Sequence, residues 1–579
     1  MTDPNDFAGS DESVAETEHL QHANRDLQDQ VAALRRDLEA ARSSERLLRE
    51  SRWWRLGLAL RNRRNILFAL RHPMWAIRTL LGFVRRRGRA RSGRAAPART
   101  ARAWLAGVSA EPRDPRDLWI AGIVSDDLRA MVEPDCHLIT FRPDNWDVTL
   151  ESRRPHMLLV ESTTRGNDGS WEYRIGAAPH ADSAGVQDLR ELVGWCRANG
   201  TQTVFWYTLG PADAESFVEA ASLFDHVIAT ERDAALRLQR APELHSHQVL
   251  VVPLGVQPAT NSPVGASLAP STCAIAPIVP SAESTALIAA AQATGLRVYT
   301  LPGDEVPPEL LPHAVVVEAR ALERCVAAHA VYLNTDPRGL PVRVLNALAS
   351  GAGVVSVPNQ TLENALGSVV SFPRTTEDGK EAIEQLLAGS PRSAAGIGAV
   401  LAEHTVAHRI AAIARAAGFD VDEGAETRFT AIALAADAGH GALLARGFEE
   451  AGLWAGEVLV GVPGAIPVEE ADPSPSIVRL VPLDPHSSSS EQVQTLARMA
   501  AQPWLALLEG VSDADRIAEL LRAKRFANAD VIGVGEDYAF AAGVDLECAV
   551  ARRDVVAARG WPPEPHWSRE GVRIFTVPR

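Results

Sequence analysis

The residues best placed to do chemistry lie in the segment Val160–Ile175, VESTTRGNDGSWEYRI, where a Gly-Asn-Asp-Gly turn and several polar side chains follow directly on an apolar run. In an open parallel sheet the ligand sits beyond the carboxyl ends of the strands, so residues just past such a run are the ones that meet it. Glu161, Arg165, Asn167 and Asp168 could fix hydroxyl or phosphate groups there, and Trp171 and Tyr173 could offer a flat face to a sugar ring. The same residues also suit a tight loop whose Asn and Asp hydrogen-bond their own backbone. Other chemistries lack their residues, since no G-x-S-x-G, H-E-x-x-H or Walker loop occurs. The five cysteines, Cys136, Cys196, Cys273, Cys325 and Cys548, are scattered without a C-x-x-C pair, which argues against a disulfide framework or a zinc site. The histidines are dispersed, and His404 and His408, spaced for one helix face, read as satisfied structural groups.

The elements that would position these residues come in two series. Short apolar runs alternate with helical stretches from Leu118, as in LWIAGIV, HMLLVES, TVFWYTL, DHVIAT and HQVLVVPLG, and again through LRVYTLP, VYLNT, GVVSVP and SVVSFP. Strand, helix, strand repeats of this kind predict doubly wound parallel sheets, two of them, with a cleft between. A third α/β unit is expected from about Thr427, after the acidic loop FDVDEGAE. The chain of 579 residues exceeds what one hydrophobic core serves, in keeping with several units. The organisation read from the sequence is 1–50, an acidic tail and short coiled coil; 51–110, basic amphipathic helices and a linker; 111–262 and 263–422, the two lobes; and 423–579, a small α/β domain.

At the segment after Val160 the chain resembles the spore-maturation CgeB-like glycosyltransferases, which have a similar E-S-x-x-R-G-N-D-G-S-W stretch. Leu189–Trp206, Leu223–Thr230, the VPLGVQP run ending at Pro258 and Leu401–Ile410 follow in the family's order, so the resemblance spans most of the two lobes. It implies a GT-B-like pair of Rossmann-type lobes, a nucleotide-sugar donor, a glycan, lipid or protein acceptor, and a core that requires no cofactor. The stretch Pro341–Pro358, PVRVLNALASGAGVVSVP, is similar to the donor-nucleotide element of such enzymes. Arg343 matches the basic residue near the helix start that faces phosphates, Ser350 and Gly351 match the close turn, and Glu363 matches an acidic position of the next helix. His226, in LFDHVIAT, joins the cleft candidates on the same ground. Three departures stand out: Asn346 replaces a Glu assigned to the ribose, Tyr207–Gly210 replace a more polar run, and Ser271–Ser284 lacks a glycine turn. They open an alternative reading, a catalytically impaired glycosyltransferase-like binding or scaffold protein. The third unit is more weakly similar to GT-A-type domains, whose aspartate run holds a divalent ion. Here only Asp513 and Asp515 are at hand, and Ser512 with Asp515 reads as a helix cap, so no metal site is expected.

The flanks carry assembly signals. Leu20, Leu27, Leu34, Ala41 and Leu48 form one seam of a heptad and Asn24, Val31, Leu38 and Glu45 the other, which suits a coiled-coil homodimer, although a solitary charged helix fits too. Ser51–Arg102 holds fifteen arginines and no acidic residue, within a chain of net charge −15. No run there approaches the roughly 20 apolar residues that span a bilayer. Trp53, Trp54, Trp75 and Phe83 among arginines suit a helix lying on an anionic membrane surface, or equally one packed on the acidic body. That acidic body argues against nucleic-acid binding. The acidic, polar amino terminus and the unpaired cysteines imply a cytoplasmic setting, peripheral to the inner face of the membrane if the strip binds lipid.

Overall fold

The computed structural model describes residues 111–579, apart from 177–183, 246, 266–267, 293, 390–391, 423–427, 451–454, 465–476, 509–513, 563–565 and 579. The coiled coil read at Leu20–Leu48 and the basic strip Ser51–Arg102 lie outside the described residues.

The first sheet consists of β1 (Trp119–Ile123), β2 (His137–Thr140), β3 (Met157–Glu161), β4 (Gln202–Tyr207), β5 (His226–Ala229) and β6 (Val249–Val251), in the order β2-β1-β3-β4-β5-β6. Every pairing in it is parallel. Its strands are apolar on both faces, as a parallel sheet with helices on either side requires. Ala121, Ile123, Leu158, Val160, Phe205 and Tyr207 enter one core, and Ile120, Met157, Leu159, Val204, Trp206 and Ile228 the other.

The second sheet repeats the plan with β7 (Ala269–Ile275), β8 (Arg297–Thr300), β9 (Ala314–Val316), β10 (His329–Asn334), β11 (Gly353–Ser356) and β12 (Val370–Ser371), in the order β12-β11-β10-β7-β8-β9 and again parallel throughout. The two-lobed architecture expected from the alternating pattern is therefore the one observed.

The chain leaves the first lobe through Gly255 and Val256 and comes back through Thr405. The two crossings are hydrogen-bonded to each other, Val256 N–H to the His404 carbonyl and Val406 N–H to the Val256 carbonyl, both at 2.9 Å. They run so close that a Cβ on Gly255 would stand 2.6 Å from the Thr405 backbone, a contact that only glycine permits. The helix Val406–Ala416, grouped with the second lobe on sequence, then buries Val406, Ile410, Ala411, Ile413 and Ala414 against the first sheet. Thr405 and His408 cap its start, with Oγ1 and Nδ1 2.6 Å apart. His404 ends the preceding helix, Ala394–Glu403, so the two histidines flank a break and do not share one helix face. Burial, with nearby arginines, pushes both imidazoles down, His408 to about 3.

The third sheet has β13 (Thr430–Leu434), β14 (Glu457–Pro463), β15 (Val478–Leu483), β16 (Trp504–Leu507), β17 (Val531–Gly535), β18 (Ala539–Ala541), β19 (Asp545–Arg552) and β20 (Ile574–Pro578), ordered β15-β14-β13-β16-β19-β17-β20-β18. It is mixed, because β19 runs antiparallel to both its neighbours. This unit docks on the second lobe: Ile397 and Leu401 share a core with Phe429, Leu520 and Leu521, and Arg392 lies 3.2 Å from Asp537. Arg525 also donates to Thr405 Oγ1, at the crossing between the lobes. Among the described residues, no helix is long and apolar enough to cross a membrane.

Candidate functional site

In the first sheet the connections from β1 and from β3 run to opposite sides, so the topological switch, where ligands bind in open α/β sheets, lies between these two strands. Glu161, the last residue of β3, closes it. Its carboxylate accepts from the Ser125 N–H beyond β1 at 2.6 Å and from the Thr208 hydroxyl beyond β4 at 3.0 Å. Thr208, within the run Tyr207–Gly210, thus holds Glu161, and its N–H donates to Ser162 Oγ at 2.9 Å. Burial raises the Glu161 carboxyl above the usual carboxylate range, the nearby Asp127 charge adding to the effect.

Asn167 is also drawn inward. Its amide group donates to the carbonyls of Gly122 (2.8 Å) and Phe141 (3.0 Å), and its carbonyl oxygen accepts from Val124 N–H at 3.2 Å. This side chain plugs the crevice and presents nothing to a ligand. Trp171, expected to stack on a sugar, is fully buried, with its indole N–H donating to Phe141 O at 3.0 Å and its ring edge-on to Phe141. The correction has a simple cause: the loop turns back at the left-handed residues Asn167 and Asp168 and tucks the indole under the sheet edge. Arg165, Asp168 and Tyr173 do stay at the surface, with Arg165 3.7 Å from Glu172, Asp168 3.3 Å from Arg129, and Tyr173 left-handed with φ of 57°. His226 is misplaced for the cleft, because β5 begins at it, at the amino end of the strand.

In the second sheet the switch falls between β7 and β10. The turn after β10 is held from behind: Asn334 Nδ2 donates to the Asp336 carbonyl and to Ser356 Oγ, both at 2.9 Å, and Asn359 Nδ2 reaches the same carbonyl at 3.3 Å. In front of it Asp336 and Arg338 form a two-point pair, Nε to one carboxylate oxygen at 3.0 Å and a terminal nitrogen to the other at 3.2 Å. Helix Val342–Ala349 starts here with Pro341 at its cap, which puts Arg343 in its first turn. Arg343 leans to within 3.7 Å of Glu323, and Asn346 donates to the other oxygen of Glu323 at 2.8 Å. A carboxylate on the neighbouring helix thus stands beside the position where Asn346 lacks one. Ser350 is buried and donates to Asn346 O at 2.9 Å, while Gly351 takes φ of 94° against the Arg392 side chain; both shape the turn and neither meets the crevice. Glu363 is exposed in the first turn of helix Gln360–Leu366, whose cap is Asn359.

The two lobes meet at a residue that the sequence reading passed over. Glu231, two residues beyond β5, lies against the turn after β10: a Cβ on Gly339 would stand 3.5 Å from both its Cβ and its carboxylate. Burial pushes the Glu231 carboxyl up, opposed by the Arg338 guanidinium and reinforced by Asp336 and Asp233. The signal was present in the strand-end rule, since Glu231 stands directly after the run DHVIAT. In the third unit Asp515 sits in helix Ala514–Ala523, and Asp513 lies outside the described residues. Among the described residues, no group of three or more His, Cys, Asp or Glu could hold a metal ion.

No protein-family model matches the chain, and no curated protein matches it in sequence. Solved structures do. AviGT4, a glycosyltransferase involved in avilamycin A biosynthesis, matches at 15% identity and TM-score 0.31, over 52% of this chain and 97% of its own. HepE of Anabaena, solved with UDP and glucose, matches at 13% identity and TM-score 0.32, over 54% and 94%. The UDP-GlcNAc 2-epimerase of Methanocaldococcus jannaschii matches at 10% identity and TM-score 0.26, over 52% and 99%. Likenesses of this depth assign neither a reaction nor a substrate.

Proposed function

We propose that the chain is a glycosyltransferase of the CgeB-like kind, which moves a sugar from a nucleotide donor on the second lobe to a hydroxyl of a glycan, lipid or protein acceptor on the first. The observation that carries this reading is the approach of Glu231, past a first-lobe strand end, to the Arg338–Gly339 turn past β10 at the second-lobe switch point. The strand-end edges of the two parallel sheets thereby come together at this point, as a two-substrate transfer between lobes requires. The donor diphosphate would lie at the amino end of helix Val342–Ala349, where free backbone N–H groups and Arg343 favour negative charge. As the bond from the sugar to the diphosphate breaks, its electron pair goes to the leaving oxygen, and those groups stabilise the charge that develops. On the first lobe the acceptor would lie over the plugged crevice, where Tyr173 is exposed. The coiled coil and the arginine strip would pair two copies and hold them to an anionic membrane surface.

One observation favours the second reading, a catalytically impaired glycosyltransferase-like binding or scaffold protein: at the position expected to serve a ribose, the Asn346 amide group already donates to Glu323. Calorimetry with UDP, GDP and their sugar conjugates, followed by a turnover assay on whatever binds, separates the two. Arg343→Ala should weaken nucleotide binding by about 1.5–3 kcal/mol, roughly ten- to a hundredfold. Should Asp513→Asn with Asp515→Asn abolish binding while Arg343→Ala leaves it intact, the donor site belongs to the third unit and the assignment fails.

A further inference from the structure

The Glu231 carboxylate is half-buried, and among the described residues no hydrogen bond or ion pair engages it. It occupies the cap position of helix Arg232–Gln239 without capping it. A partly desolvated carboxylate in this state is satisfied by hydrogen-bond donors. On the second lobe Arg338 is paired at one edge with Asp336, itself braced through Asn334 and Asn359, so the guanidinium is preorganised while its side chain stays half-exposed. Gly339 supplies the left-handed φ of 56° in this turn, which lies within van der Waals reach of Glu231.

Two chemical classes are distinguished by this pair. A phosphate is repelled by Glu231 and Asp336 together and is better served by Arg343 and the helix amides. A neutral polyol is suited to the pair, because each sugar hydroxyl both donates and accepts. We propose that Glu231 and Arg338 form an interlobe clamp that reads the hydroxyl groups of the donor's sugar, the carboxylate accepting from the first lobe and the guanidinium donating from the second. This rests on the nucleotide-sugar reading above and adds to it a residue of the first lobe that selects the sugar.

The test is calorimetry on the full chain with UDP, GDP, UDP-glucose, UDP-galactose, UDP-N-acetylglucosamine and GDP-mannose. One conjugate should bind about five- to tenfold more tightly than its bare nucleotide. Glu231→Ala should remove that preference and leave affinity for the bare nucleotide unchanged, Arg338→Ala should reduce it, and Glu231→Gln, which keeps an acceptor oxygen and the side-chain shape, should retain part of it. If nucleotide binds but no conjugate is preferred, or if the preference survives Glu231→Ala, the clamp is wrong while the donor site stands. If neither nucleotides nor conjugates bind the wild-type chain, the donor reading falls and the clamp falls with it.

Discussion

The first-lobe crevice, between β1 and β3, is filled by the protein itself: Glu161 is 7% exposed, Asn167 5% and Trp171 not at all. The second-lobe crevice, between β7 and β10, is rimmed by charged side chains that remain open, Asp336 at 38%, Arg338 at 54% and Arg343 at 42%. The two sheets differ in strand order, β2-β1-β3-β4-β5-β6 against β12-β11-β10-β7-β8-β9, yet each has one switch point, so topology creates a crevice in both and side chains decide whether it is plugged or available. In the first lobe the plug is Asn167, hydrogen-bonded to backbone groups, beside Glu161, held by the Ser125 N–H and the Thr208 hydroxyl. In the second lobe the loop is braced from behind by asparagines, which leaves its charges facing outward.

The comparison can be broken most decisively at Trp171. Trp171→Ala should cost about 3–5 kcal/mol in denaturant unfolding, from lost burial and a cavity beneath the sheet edge. Arg338→Ala should cost less than about 1 kcal/mol, as expected for an exposed ion pair. Equal costs would mean that the first-lobe crevice is not internally packed, or that the second one is.

Glu161→Gln sharpens the comparison through pH. The Glu161 carboxyl is raised in the folded state, so the folded protein retains a proton that the unfolded chain releases. The Glu161 contribution to wild-type stability should therefore be fully present below the ordinary carboxylate range and be lost as pH rises through the folded-state value, by about 1.4 kcal/mol for each unit of elevation. Gln can accept from Ser125 N–H while its amide group donates to the Thr208 oxygen, so this variant should show a flatter profile. Parallel wild-type and variant melting curves from pH 4 to pH 8 would show that Glu161 is not held as described.

The smallest effect is expected at Tyr173, exposed and left-handed in a loop braced by Arg165, Glu172, Arg129 and Asp168. Tyr173→Asn should stabilise the fold by about 0.5–1 kcal/mol, since Asn tolerates this backbone conformation better than an aromatic residue. A destabilisation of similar size would show that the ring packs on the lobe, which would remove it as a rim contact for an acceptor.

Much of the second-lobe placement was legible in the sequence. The helix start at Arg343 and the turn at Gly351 follow from local signals, a proline cap and a glycine at the helix end. The engagement of Asn346 by Glu323 was not legible, because it joins two helices on either side of β10 whose separation depends on how they pack. Glu231 was passed over for a related reason: a carboxylate after a strand is common, and only the opposing turn makes this one unusual.

Residue order by itself determined the alternation of apolar runs and helices, and with it two parallel sheets buried on both faces, since periodicity and capping act over a few neighbouring residues. It determined equally that polar side chains would follow the strand ends. The tertiary structure alone decided that Trp171 turns in while Tyr173 two residues later turns out, that Asn167 fills the crevice it was expected to line, and that Glu231 lies against the turn at Gly339. Those outcomes depend on strand order and on the approach of one lobe to the other, and the contacts that fix them join residues far apart in the chain, where local propensity carries no information.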